Sequence, residues 1–110
     1  MASIENPIPD AVVDRIQRLG RRIRDARTRR RLRREDFAQR AGVSRSTMEA
    51  IERGEVSTGI GAYVKALWAL GLDQELDLLA DPGLDRDGLA LELSAQTKRV
   101  RVRTKVDNDF

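Results

Sequence analysis

The residues best equipped for recognition chemistry are gathered in the run Ser44-Arg45-Ser46-Thr47-Met48-Glu49-Ala50-Ile51. Arg45 carries a planar fork of donors, Ser46 and Thr47 carry hydroxyls that donate or accept, and Glu49 only accepts, so the group offers hydrogen bonds of both senses. At helical spacing Met48 and Ile51 turn inward with Val43, leaving Arg45, Ser46, Thr47, Glu49 and Ala50 outward. Such a face suits a partner with a polar, patterned edge. It does not suit bond making. The chain has no histidine and no cysteine, so the commonest acid/base group and the thiolate ligand are both missing. No nucleophile stands beside a base, and no phosphate-binding loop is present. Asp85-Arg86-Asp87-Gly88 has the look of a calcium loop, but Gly83 takes the first ligand position and Ser94 the place of the closing glutamate. We therefore expect no catalytic residue, no metal site and no cofactor, and a chain that is not an enzyme.

The elements that position this face can be read on either side of it. Ser44 is a good N-cap for the helix that ends at Gly54, and its hydroxyl is equally suited to a phosphate. Before it, Arg34-Glu35-Asp36 opens a short helix with acids in the first turn, and Phe37, Ala38 and Ala41 give that helix a small apolar side. Gly42 supplies the positive φ a helix end requires and Val43 plugs the turn. Helix, tight turn at Ala41-Gly42-Val43, and capped second helix make the grammar of a helix-turn-helix, whose second helix enters a DNA major groove.

Upstream, a helix begins at about Pro9 to Ala11, where proline fits the first turn and Asp10 and Asp14 complement the helix dipole. Val12, Ile16, Leu19, Ile23 and Ala26 follow a 4-3-4-3 spacing and form a narrow seam. The next step of that spacing is Arg30, so the helix leaves the core near Thr28 to Arg30. Gly20 costs roughly 1 kcal/mol against alanine inside a helix, and a break there into two helices is the alternative. Leu32 anchors the linker to the second helix.

Downstream, Thr58 or Gly59 caps a helix bearing Ile60, Tyr63, Val64, Leu67, Trp68 and Leu70 and stopped by Gly71. At that spacing Tyr63 and Trp68 are core or dimer contacts rather than a stacking platform. Asp73 caps a last short helix with Leu72, Leu76 and Leu79 on one side, ended by Asp81-Pro82-Gly83. Beyond it Leu89, Leu91 and Leu93 alternate and suit a short strand or helical turn. Lys98-Arg-Val-Arg-Val-Arg-Thr-Lys-Val106 reads as a disordered basic tail or a strand that orders on pairing.

The whole is an all-α chain: a compact bundle of about five helices with an extended N-terminal helix and a flexible or strand-forming C-terminal tail. Residues 1–9 form a mobile leader, 10–80 the helix-turn-helix domain, and 81–110 the C-terminal extension. No apolar run approaches a membrane span and the start lacks the blocks of a signal peptide, so the expected location is cytoplasmic, on the nucleoid when bound to DNA. The net charge of +3 conceals a division: residues 15–45 hold thirteen arginines against three acids, and residues 46–97 hold three cations against ten acids. Between Arg15 and Arg34, eleven arginines meet only Asp25, a self-repelling density that a polyanion relieves. One end of the domain is thus suited to phosphate and the other to solvent or a partner.

From Leu19 to Leu79 the chain resembles the phage-repressor (Cro and XRE type) helix-turn-helix family, most specifically in IRDAR, in FAQRAGVSRSTMEAIERG and in ALWALGL. The resemblance implies a transcriptional repressor that binds double-stranded DNA as a homodimer on palindromic half-sites. Carried over residue by residue, it makes Arg45, Ser46, Thr47, Glu49 and Ala50 the base-reading set, with Arg45 on guanine and Glu49 accepting from cytosine. Arg33, Arg34, Ser44, Arg22 and Arg53 become phosphate contacts. The family commonly has threonine or serine followed by glutamine where this chain has Arg33-Arg34, so the usual cap and amide clamp of the second helix are absent. The small size, the leucine-rich stretch and the basic tail are also similar to antitoxins that partner HipA-like kinase toxins. That resemblance implies autoregulation of a toxin-antitoxin operon. Two alternatives are an adaptor that chiefly binds the toxin, through the Val12 to Ala26 seam or the tail, and a stand-alone repressor.

Overall fold

A computed structural model describes residues 7–108, with side chains described up to residue 100. Most of the expected mobile leader, residues 1–6, lies outside the described residues. Five α-helices follow one another: α1 Asp10–Arg29, α2 Arg34–Ala41, α3 Arg45–Arg53, α4 Ile60–Leu70 and α5 Arg86–Asn108, with a 3-10 helix at Asp73–Leu78. No strand occurs among the described residues. The chain divides into two units, one up to Leu76 and one from Asp77.

In the first unit α1 packs across α3, while α2 packs on both α3 and α4. The core is aliphatic apart from two rings, as the low aromatic content requires. It contains Ile23 and Ala26 from α1, Phe37, Ala38 and Ala41 from α2, Met48 and Ile51 from α3, and Tyr63, Ala66 and Leu70 from α4. Ile16, Leu19, Val43, Leu67 and Leu72 pack around it, partly exposed. The seam of α1 therefore faces inward from Ile16 onward, and only Val12 at its start is exposed.

The first helix does not break at Gly20. Its glycine serves close approach: a Cβ there would lie 2.6 Å from the Gly54 amide nitrogen and the Ile51 carbonyl oxygen, where α1 crosses the end of α3. Gly54 matches it, since a side chain there would strike the Gln17 backbone, and its φ of 71° already favours glycine. These two glycines fix how closely α1 and α3 pack.

Helix ends follow a shared pattern. After α2 the Val43 amide donates to the Ala38 carbonyl at 3.0 Å, and after α3 the Glu55 amide donates to Ala50 at 3.1 Å, each across a left-handed glycine. After α1 the Leu32 amide likewise donates to Arg27 at 3.2 Å, but the left-handed residue is Arg31, with φ 54°. A non-glycine residue in that region carries a backbone cost of about 1 kcal/mol.

Two expectations are corrected. Of the core or dimer positions expected for Tyr63 and Trp68, Tyr63 takes the core, whereas Trp68, 61% exposed, is not core and keeps only the dimer alternative; Ile60 is 71% exposed, and Ala66, absent from the apolar pattern because of its size, is fully buried. Ile60, Val64 and Trp68 lie four apart on the outer side of α4, while Tyr63, Ala66 and Leu70 take the inner side. Second, residues 86–108 are helical: over Leu89 to Leu93 the helical alternative holds rather than the strand, and the basic tail up to Asn108 is neither a strand nor disordered. Leucine, alanine, glutamate, glutamine, lysine and arginine dominate the stretch, and their helix propensity, summed over a helix this long, outweighs local alternation. The short helix after Asp73 is of the 3-10 type, with Leu72 and Leu76 half-buried and Leu79 exposed.

Candidate nucleic-acid interface

The outward face of α3 is organised from its cap. The Ser44 hydroxyl accepts from the Thr47 amide at 3.1 Å, donates to the Thr47 hydroxyl at 2.9 Å, and lies 3.1 Å from the Ser46 hydroxyl. Three hydroxyls thus form one cluster at the helix start, where the macrodipole and unsatisfied amides favour an anion. Arg45 follows, exposed, with its Nε 3.5 Å from Glu49 Oε1 one turn on. The two charged members of the face hold each other. Such an exposed i,i+4 pair contributes only a few tenths of a kcal/mol, so both groups are available at small cost. Ala50 is half-buried beside them.

Behind this face lies a charged cluster that sequence reading did not single out. Glu52, on the inner side of α3, is buried, and Arg27 of α1 grips it with Nε to Oε2 at 2.7 Å and Nη2 to Oε1 at 3.0 Å. Arg34 of α2 adds Nε to the same Oε1 at 3.2 Å. Arg27 also donates to the Leu32 carbonyl at 2.9 Å, tying down the α1–α2 linker. A buried carboxylate left unpaired is strongly unfavourable, and here both of its oxygens are bonded. The clue was available: Glu52 follows Met48 by four, on the apolar side of its helix, where an acid requires a cation.

Arg24, Arg34, Arg53, Glu49 and Glu52 line one shallow cleft of about 290 Å³ between α1, α2 and α3. The structure therefore brings Arg34 and Arg53 together and adds Arg24. Arg53 is further paired to Glu55, Nη2 to Oε1 at 2.8 Å, which raises its pKa above the ordinary arginine value. Arg33 is exposed at the N-cap position of α2 and makes no capping bond. Arg22 lies apart, on the rim of a different groove between α1 and α4 lined by Leu19, Ile23, Ala26, Leu67 and Leu72. The anionic and cationic halves of the sequence are not segregated here: Glu49 and Glu52, from the acidic half, sit among the arginines and hold them in place.

Two short helices joined through a left-handed glycine, with the second capped and its polar side exposed, define a helix-turn-helix. Residues 18–79, more than half of the chain, match the family described as helix-turn-helix domain, and the chain belongs to that family. The match takes in α2, α3 and α4 and all but the first two turns of α1, and it supports a DNA-binding regulator as the general class. No curated protein and no solved structure matched the chain in the same comparisons. No described helix is long and apolar enough to cross a membrane.

Proposed function

We propose that the chain is a sequence-specific double-stranded DNA-binding repressor that acts as a homodimer on a palindromic operator, its own promoter among its targets. The observation that carries this reading is the exposed, mixed donor and acceptor face of α3 set beside the arginine-lined cleft. Arg45 reads guanine O6 and N7, Glu49 accepts from a cytosine amino group, and Ser46, Thr47 and Ala50 shape the contact. Ser44, Arg33, Arg34, Arg53 and Arg24 engage phosphates, with Arg22 contributing to the field. Titration of the full chain against the duplex upstream of its own coding region tests this: a discrete protected site at low salt is expected, and uniform or absent protection defeats it.

A second reading makes the chain an antitoxin that also binds a HipA-like kinase toxin. It rests on the resemblance alone. Of the two surfaces it could use, the seam of α1 is taken up in the core from Ile16 onward, which leaves the residues beyond the family match. Loss of co-purification with a kinase-like protein encoded alongside, on deletion of residues 95–110, is the expected result. Retained co-purification removes the tail as its docking surface.

A further inference from the structure

Every residue of α5 from Leu89 to Val100 is exposed. Leu89, Leu93, Gln96 and Val100 follow a 4-3-4 spacing, which sets them on one stripe of the helix; Leu89 is 37% exposed and Leu93 and Val100 each 61%. Leu91 lies on the opposite face and takes no part. Such spacing is the seam of a two-stranded helical pair, in which Leu93 and Val100 occupy one class of core position and Leu89 and Gln96 the other. Glu92 and Arg99 are seven residues apart and flank this stripe on the same side. That placement distinguishes the two possible orientations. In a parallel pair Glu92 meets Thr97 of the second helix. In an antiparallel pair centred between Leu93 and Gln96, Leu89 meets Val100, Leu93 meets Gln96, and each Glu92 meets the other copy's Arg99.

The charge along the helix points the same way. From Asp85 to Thr97 there are three acids and one cation, and from Lys98 to Lys105 five cations and no acid. Side by side in parallel, like ends repel; reversed, each acidic head lies against a basic tail.

We infer that α5 is a self-association helix that pairs antiparallel with α5 of a second copy of this chain, its core formed by Leu89, Leu93, Gln96 and Val100 and its register set by two Glu92–Arg99 ion pairs. This gives the dimer of the proposed repressor its surface, and it rests on that reading only for the dimer; oligomeric state measured without DNA keeps the two separable.

The test is sedimentation of the full-length chain across concentration, in the absence of DNA. The wild type is expected to dimerise. Glu92→Arg and Arg99→Glu should each weaken the dimer roughly tenfold, because each replaces two attractive pairs with two repulsive ones. An equimolar mixture of the two variants should recover a heterodimer, as should the double variant Glu92→Arg/Arg99→Glu as a homodimer, which shows that α5 still folds. High salt should weaken the wild-type dimer. A chain that stays monomeric, a dimer indifferent to both single substitutions, or one strengthened by salt overturns the inference. So does a dimer abolished by Trp68→Ala on α4 but not by changes in α5.

Discussion

Arg45 and Glu49 are the residues on which sequence reading and geometry meet. Their 3.5 Å pair predicts that Glu49→Ala costs discrimination at one base position while freeing Arg45, so that overall affinity for duplex DNA rises as specificity falls; competition between matched and scrambled duplexes measures both. Glu52 behaves differently because it is buried and doubly bound. Glu52→Ala leaves Arg27 partly buried without its carboxylate, and about 3 kcal/mol of stability should be lost in chemical unfolding. Apolar spacing alone made Met48 and Ile51 legible in the sequence. Arg27 and Glu52 were hidden within a run of charges whose partners only the fold reveals.

At the level of the element, positive φ and close approach explain more than propensity. Gly20, costly in isolation, suggested a broken helix; its role appears only when α3 is laid across it. Gly20→Ala should destabilise the bundle and separate α1 from α3, read as a lowered melting temperature. Arg31, held at φ 54°, gives the opposite case: Arg31→Gly should raise stability by roughly 1 kcal/mol, with any change in DNA affinity explained by the lost charge. Tyr63 offers a pH test. Its hydroxyl donates to the Glu55 carbonyl at 2.8 Å, and burial, then the nearby Glu55 charge, raise its pKa above 10.0. An acid whose folded pKa is raised holds its proton longer when folded, so its contribution is complete below about pH 10 and is lost as pH climbs through the folded value. Tyr63→Phe should flatten that alkaline decline. The boundaries of α1, α2, α3 and α4 were legible from caps, glycines and apolar period. Those signals fail for α5, where period-2 alternation of leucine and valine coexists with strong helix formers.

For the whole molecule, the arginine surplus of residues 15–45 was visible in sequence, but not the acids folded in among it. Glu49 holds Arg45, and Glu52 holds Arg27 and Arg34, so fewer cations of that stretch than the count suggests are free for phosphate. A dimer engaging four or five cations per copy should show binding that falls with salt at a log–log slope of about −7 to −9. A slope near −2 would leave the arginines as structural. Arg24→Ala should reduce that slope by about one per copy while leaving sequence preference unchanged, which separates the cleft from the reading face.

On the proposed function, α3 reads sequence through Arg45. Enrichment of bound duplexes from a random pool, carried out in parallel with the wild type and Arg45→Ala at one salt concentration, tests it most directly. The wild type should converge on a two-fold symmetric site containing a G·C pair whose replacement costs about tenfold or more in affinity, and Arg45→Ala should lose preference at that position while still binding duplex DNA. A pool that never converges, or one that converges identically for both proteins, would contradict it.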